Sequence, residues 1–291
     1  MHRSATVHGH HAGHVEDVDW AGMLEALRRA DEVEVEVNAQ IAGWLVRGQE
    51  RVIVDLGCGA GGMTVALAAA AGPQPKLIAV DGQPALLEET RRRVGEAAVE
   101  TRVADLSAEI PVEAGSADLI WAGSVVHHLP DQLAALRELA ARLAPGGLLA
   151  LGEGGLRPRS LPWDLGVGEP GLEVRLDLAQ ERWFAAMRRD IPGSVPMPMG
   201  WPAAFREAGL ADVSTRSFLL DRPAPLPAAA VDLVVERLRG FLDRDKLGEA
   251  LVAEDQDTLR RLTDLDDELL ARIRDELFLL SVRTVCVGRV R

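Results

Sequence analysis

The sequence predicts an α/β fold built on a doubly wound, mostly parallel sheet, and three observations predict it. Short β-branched runs alternate with helical stretches between residues 51 and 152. A glycine-rich loop, Gly57-Cys58-Gly59-Ala60-Gly61-Gly62, follows the first run. Aspartates, Asp81 and Asp105, stand at the ends of the next two. Alternation of this length implies a parallel sheet with helices on both faces. Such sheets bind ligands outside the carboxyl ends of their strands, where strand order reverses.

Taken in order, Trp20–Arg29 and Val35–Arg47 carry apolar residues at helical spacing and predict two N-terminal helices. Arg51–Leu56 predicts the first strand and Met63–Ala71 its helix; Lys76–Asp81 and Pro84–Val94 repeat the unit. Ala98–Ala104 and Ala117–Ala122 predict a third and a fourth strand. Asp131–Leu143 predicts a helix with Asp131 as its N-cap, since a short carboxylate there can accept from a free backbone N–H. Pro145-Gly146-Gly147 reads as a structural turn before a fifth strand, Leu148–Gly152. Beyond it, Gly154–Pro170 reads as a loop, Asp177–Arg189 and Ala203–Ala208 as helices, and Val213–Leu219 as a sixth strand. Ala228–Ile273 is a charged helical segment, a lid or a dimer surface, and Leu277–Val287 a closing β-rich run.

This divides the chain into a disordered His-rich tail (1–18), an N-terminal helical cap (19–48) and an α/β core (49–155). A pocket-forming loop and helices (156–210) follow, then the last strands with a helical insertion at 228–273 (211–291).

Composition narrows the partners. Forty-seven per cent hydrophobic and 26% charged residues is an ordinary globular balance. The net charge of −13 repels phosphate backbones and anionic membranes, so nucleic acid and membrane are not expected partners. Two cysteines, Cys58 and Cys286, without metal-like spacing fit a reducing compartment, and with neither a signal peptide nor a long apolar run the chain reads as cytoplasmic. The histidines at 8, 10, 11 and 14 offer at most adventitious metal binding; no metal is expected.

The loop spacing satisfies both G-x-G-x-G and G-x-G-x-x-G, so alone it fits S-adenosylmethionine (SAM) or a dinucleotide. Its neighbours tilt the choice. Asp55 precedes the loop, placed to organise the turn or to attract the sulfonium and ammonium of SAM. Asp81, about twenty residues further on, suits the two ribose hydroxyls. Asp105-Leu106 offers one polar and one apolar group to an adenine.

These residues resemble the class I SAM-dependent methyltransferases, in particular their small-molecule branch. Val52 to Gly61 is similar to the family's first motif, Val80-Asp81 to its ribose-binding acid, and Ala104-Asp105-Leu106 to its adenine contact. Ala117 to Ala122 resembles the fourth-strand motif, and Leu143 to Gly147 the turn before the fifth strand. The resemblance implies a seven-stranded sheet with an antiparallel last strand. It implies SAM as cofactor, bound by Asp55, Gly57, Cys58, Gly59, Asp81, Gly82, Asp105, Leu106 and Ala122. Cys58 is expected there as a small residue that fits the loop.

Methyl transfer needs positioning of donor and acceptor, and a base only when the acceptor must lose a proton. His127 and His128, after the fourth strand, are the candidate bases, with cofactor-pocket architecture as their alternative role. Glu153 is either an acceptor-binding group or, the favoured reading, a solvated loop acid. Trp20, Trp163, Trp183, Phe184, Met197, Met199 and Trp201 supply apolar surface for a flat acceptor, at least half of them as ordinary core. The expected function is methylation of a small molecule, a secondary-metabolite or quinone-like acceptor, by a chain that is a possible homodimer. A repurposed SAM-binding regulator or cyclase is the alternative. An NAD(P)-dependent oxidoreductase fits less well, since it leaves Asp105-Leu106 unexplained and the sequence has no tyrosine.

Overall fold

A computed structural model describes residues 24–72, 75–95, 97–243, 247 and 250–291. The His-rich start and Trp20 lie outside the described residues. Two helices, α1 (Leu24–Val33) and α2 (Val35–Leu45), precede the sheet. Next come β1 (Val52–Leu56), α3 (Gly62–Ala70), β2 (Lys76–Asp81), α4 (Pro84–Val94), β3 (Glu100–Val103) and β4 (Ala117–Gly123). A 3-10 turn, Val126–His128, leads to α5 (Gln132–Arg142) and β5 (Leu143–Gly152). Then follow β6 (Gly155–Arg159), α6 (Leu172–Asp190), α7 (Trp201–Glu207) and β7 (Ala211–Arg222). Among the described residues, α8 (Ala228–Asp243), α9 (Ala253–Thr263), α10 (Glu268–Ile273) and a 3-10 turn, Arg274–Glu276, lie between β7 and β8 (Leu279–Arg289).

Strands β1 to β5 pair in parallel in the order β3-β2-β1-β4-β5, and β8 joins β5 antiparallel. The reversal of strand order therefore falls between β1 and β4, and their carboxyl ends open the crevice where such sheets bind ligands. The expected doubly wound sheet with an antiparallel last strand is present, and it carries one strand more than expected. β6 continues the path of β5 along the same edge of β8: Leu151 faces Cys286, Gly155 faces Arg283 and Arg159 faces Leu280. β7 takes the other edge of β8, pairing Phe218 with Arg283. The sheet is thus seven strands wide, with its fifth strand broken at residues 153–154. Gly154 and Gly155 make that break at φ values of 98° and 130°, which a side chain strongly disfavours.

Val52–Leu56 and Lys76–Asp81 are apolar on both faces because helices cover both sides. On one face Ile53, Leu77, Leu119 and Ala150 pack with Ile41 and Leu45 of α2 and Leu67 of α3. On the other, Val54, Ile78, Ile120 and Leu149 pack with Leu136 of α5 and Phe205 of α7. Each fully buried Leu, Ile or Phe contributes roughly 1.5–3 kcal/mol relative to an exposed one. The segment read as a lid or dimer surface belongs to the first of these cores. Val231, Val234, Val235 and Leu238 of α8 fall on one helical face and are buried there. No helix among the described residues is long and apolar enough to cross a membrane.

Candidate functional site

The glycine loop is drawn under the end of β2. Gly57 and Cys58 donate their backbone N–H groups to the Val80 carbonyl at 2.8 and 3.0 Å. Gly59 donates to Asp81 Oδ2 at 3.0 Å, and Gln83 N–H to Oδ1 at 2.9 Å, so Asp81 fixes the loop from the neighbouring strand end. Burial raises the Asp81 pKa above its ordinary value, and the bonds from Gln83, Gly59 and Gly82 oppose the rise. Gly57 lies at φ 65°, and a Cβ there would overlap Val125 Cγ2 across the crevice. Gly59 lies at φ 55° with open space where its side chain would be. Gly82 needs no such freedom, since a Cβ there would make an ordinary 3.6 Å contact with the Ala104 carbonyl.

Asp55 sits beneath the loop and is wholly buried, accepting from Thr64 Oγ1 at 2.6 Å. Burial pushes its carboxyl up to about 7; the Thr64 bond opposes this, and the Asp31 and Asp81 charges add to it. It joins β1 to α3, the turn-organising role among the two expected. Cys58 is buried against Thr90 Oγ1 at 3.7 Å, and burial holds its thiol well above its usual range. That suits a packing residue and not a nucleophile.

At the end of β3, Asp105 Oδ1 accepts from Ser107 N–H at 2.8 Å and from its hydroxyl at 2.7 Å, with Leu106 half-buried beside it. Ala122 pairs with Leu56 and Leu151 and is completely buried in the sheet. Its side chain is closed off inside the core. Only its backbone and its small size remain for a ligand.

Helix α1 reaches the same loop. Asp31 forms an ion pair with Arg93 of α4, and Arg93 Nη1 donates to the Ala60 carbonyl at 2.6 Å. Asp31 also lies over Gly62, the first residue of α3, where a carboxylate complements the exposed N–H groups of the helix start. Sequence patterning did not single out Asp31, Thr64, Thr90 or Arg93; their charges and hydroxyls sit on ordinary helix surfaces until the fold brings them to the loop.

Across the crevice, β4 ends at Gly123 and Ser124 takes φ 56°, turning the chain into the 3-10 turn. Glu153 points into this turn. Its Oε1 accepts from Val125 N–H and Val126 N–H, both at 2.8 Å, and its Oε2 lies 2.6 Å from His127 Nδ1. The side chain is only 4% exposed, so the favoured reading of Glu153 as a solvated acid is overturned. The cause is the fifth strand's continuation past the break, which the Gly- and Pro-rich sequence conceals. His127 retains 20% exposure, with the edge of the Phe184 ring against it at 5.4 Å. The His128 ring lies tilted against His127, centroids 4.1 Å apart, and burial, then the His127 charge, lower its pKa to about 4. At neutral pH His128 is therefore a poor proton acceptor, and of the two candidates His127 keeps the base geometry.

A cleft of about 170 Å³ opens beside these strand ends, lined by Glu34, Val37, Ser124, Gly154, Phe218 and Arg283 among others. Arg283 forms an ion pair with Glu34 and donates to Asn38 Oδ1 at 2.8 Å. The floor from β7 and β8 was not foreseen. Of the expected aromatic and Met lining, Phe184 contacts His127, while Trp183, Met197 and Trp201 pack against the cores. Trp163 is 74% exposed on the surface, and Met199 is also exposed. No cluster of potential metal ligands occurs among the described residues.

A loop fixed by its own backbone, an acid at the second strand end and a switch point between β1 and β4 define a nucleotide-type site on a doubly wound sheet. Residues 53–147 match the methyltransferase domain family, and the chain carries a class I SAM-dependent methyltransferase domain. It is 39% identical over 137 residues to a trans-aconitate 2-methyltransferase of Methylobacterium radiotolerans, 43% of this chain and 51% of that protein. The chain thus spans about half the length of that relative. It is 28% identical over 238 residues to a 27-O-demethylrifamycin SV methyltransferase of Amycolatopsis mediterranei, 76% of this chain and 83% of that one. A phosphoethanolamine N-methyltransferase 2 of Haemonchus contortus, solved with phosphomonomethylethanolamine and S-adenosylhomocysteine, shares the fold. The TM-score is 0.50 at 15% identity, over 94% of this chain and 61% of that one.

SAM is the cofactor of this class, and the residues present fit it. The open space over Gly59 lies beside the Asp81 carboxylate, and the Cβ-free contact at Gly57 lets the crevice walls meet closely. Asp81 and Asp105 supply acceptors for hydroxyl and amino groups, and Leu106 an apolar flank.

Proposed function

We propose that this chain transfers the methyl group of SAM to a hydroxyl of a small molecule, with His127 as the general base. Bound at the glycine loop, SAM supplies an activated methyl on a sulfonium. The observation that carries the reading is the His127 Nδ1–Glu153 Oε2 contact of 2.6 Å. A carboxylate only accepts, so Nδ1 carries the proton and Nε2 holds the bare lone pair. His127 Nε2 takes the acceptor's O–H proton as that oxygen bonds to the methyl carbon. The sulfur of bound SAM would leave with the C–S electron pair, and Glu153 stabilises the imidazolium on His127. An amine acceptor has less need of such a pair, and the name of the rifamycin relative also specifies an oxygen position.

The test is methyl transfer from labelled SAM to a panel of phenolic, sugar and carboxylate acceptors, followed by His127→Ala on the best of them. The variant is expected to lose about 10²- to 10⁴-fold in kcat while still binding S-adenosylhomocysteine. Undiminished turnover would remove His127 from the mechanism. Binding of SAM with no acceptor methylated would favour the repurposed scaffold instead.

A further inference from the structure

The turn that carries His127 is held at both ends by opposite charges. At its start, the Glu153 carboxylate takes the Val125 and Val126 N–H groups. At its end, Arg188 of α6 gathers the carbonyls: Nη1 donates to His127 O at 2.9 Å and Leu129 O at 2.7 Å, and Nη2 to Pro130 O at 3.2 Å. Ser194 Oγ holds the same Nη2 at 3.3 Å, and Val195 N–H donates to Pro130 O at 3.0 Å, so the segment after α6 is tied in as well.

A three-residue turn closes few of its own bonds. His128 N–H reaches Val125 O and Leu129 N–H reaches Val126 O, both at 3.0 Å. Its later carbonyls need outside donors, and their dipoles point their negative ends at whatever supplies them. A guanidinium answers the His127 carbonyl and those of Leu129 and Pro130 just after the turn with one rigid group, which a lysine ammonium on a flexible stem does not reproduce. The arrangement also fixes the imidazole from two sides, through its backbone carbonyl by Arg188 and through Nδ1 by Glu153. Phe184, one helical turn before Arg188 on the same helix, lays its edge on the ring.

We infer that Arg188 is a positioning residue for the base: docking of α6 through Arg188 sets the tautomer and aim of His127, so the helix covering the acceptor side also assembles the proton acceptor. This rests on His127 acting as base, and it adds a residue far from the glycine loop in sequence whose charge looks like that of a solvated helix face.

The test is nitrogen NMR of the His127 ring, in the whole protein with S-adenosylhomocysteine bound, comparing wild type, Arg188→Lys, Arg188→Gln and Glu153→Gln. The groups packed about the ring and its turn are Glu153 at the break after β5, His128 on the turn, and Phe184 and Arg188 from α6. Wild type should show one tautomer, protonated at Nδ1. Both Arg188 variants should show averaged tautomers, with S-adenosylhomocysteine affinity within about twofold of wild type. In turnover of any acceptor found above, kcat should fall by roughly 10- to 100-fold with KM for SAM unchanged. A variant that lowers Tm but leaves the His127 tautomer intact would mark Arg188 as merely structural and overturn the inference. Arg188→Lys serves where Arg188→Gln does not fold. If Glu153→Gln also leaves the ring unchanged, the base assignment itself falls; if it shifts the ring while both Arg188 variants do not, the Arg188 role alone falls.

Discussion

The two walls of the crevice are built differently. On the donor wall, the ends of β1 to β3, the loop is shaped by backbone: Gly57, Cys58 and Gly59 donate main-chain N–H groups to Val80 and Asp81 within one strand–helix–strand unit. On the proposed acceptor wall, the ends of β4 and β5, the groups brought together are side chains from distant places: His127, Glu153, Phe184 and Arg188. A backbone cradle tolerates little change in residue type, and it can serve one constant donor. A wall of side chains can be re-aimed by substitution, and it is the wall that an acceptor must match. The difference places the shared chemistry on local sequence and the particular chemistry on long-range packing.

Breaking the acceptor wall should show as rate. Glu153→Gln removes the carboxylate that sets the His127 tautomer and leaves the turn's N–H groups a weaker partner. We expect kcat to fall by about 10²-fold or more with SAM affinity preserved, read by steady-state kinetics beside calorimetry. Equal losses in rate and cofactor binding would show that the two walls are not separable.

Breaking the donor wall should show first as stability. Gly57→Ala forces a side chain into left-handed backbone and into Val125, and we expect a loss of roughly 2–4 kcal/mol in urea unfolding. Gly82→Ala, in the next strand's turn, meets only an ordinary contact and should change stability by no more than about 0.5 kcal/mol. Comparable effects at the two positions would contradict the description of the loop.

A finer difference concerns pH. Burial raises the Asp55 carboxyl to about 7 from an ordinary 3.8. Between these values the folded state binds more protons than the unfolded one. Its contribution to stability is therefore fully present below about pH 4 and lost as pH rises through about 7. Asp55→Asn should remove that slope, so the variant gains on wild type between pH 5 and pH 8 in paired unfolding curves. The same stability difference at both pH values would mean that Asp55 is not buried in this way.

The donor wall was legible in the sequence because its parts are neighbours along the chain. Asp55, the glycines, Asp81 and Asp105 each stand at the end of a short apolar run, and the run predicts where the end will be. At Ala122 strand alternation turns the side chain into the core, which the run of apolar residues did not reveal. Glu153 shows another. The sequence after it carries Gly154, Gly155 and Pro158 and looks like a loop, whereas pairing with β8, more than a hundred residues away, makes it strand and buries the acid. Arg188 and Arg283 were not singled out, because their partners, the His127 turn and Glu34, are distant in sequence. The Phe218 and Leu220 floor of the cleft belongs to the same class of long-range contact.

The central claim is that the ends of β1 and β2 bind SAM through the glycine loop and Asp81. Isothermal calorimetry of SAM with wild type and Asp81→Ala, each checked for folding by circular dichroism, tests it most directly. Loss of a carboxylate that anchors Gly59 and is proposed to accept from the ribose should weaken binding by about 10- to 100-fold. A folded variant that binds SAM as tightly as wild type, or a wild type that binds none, would contradict the account.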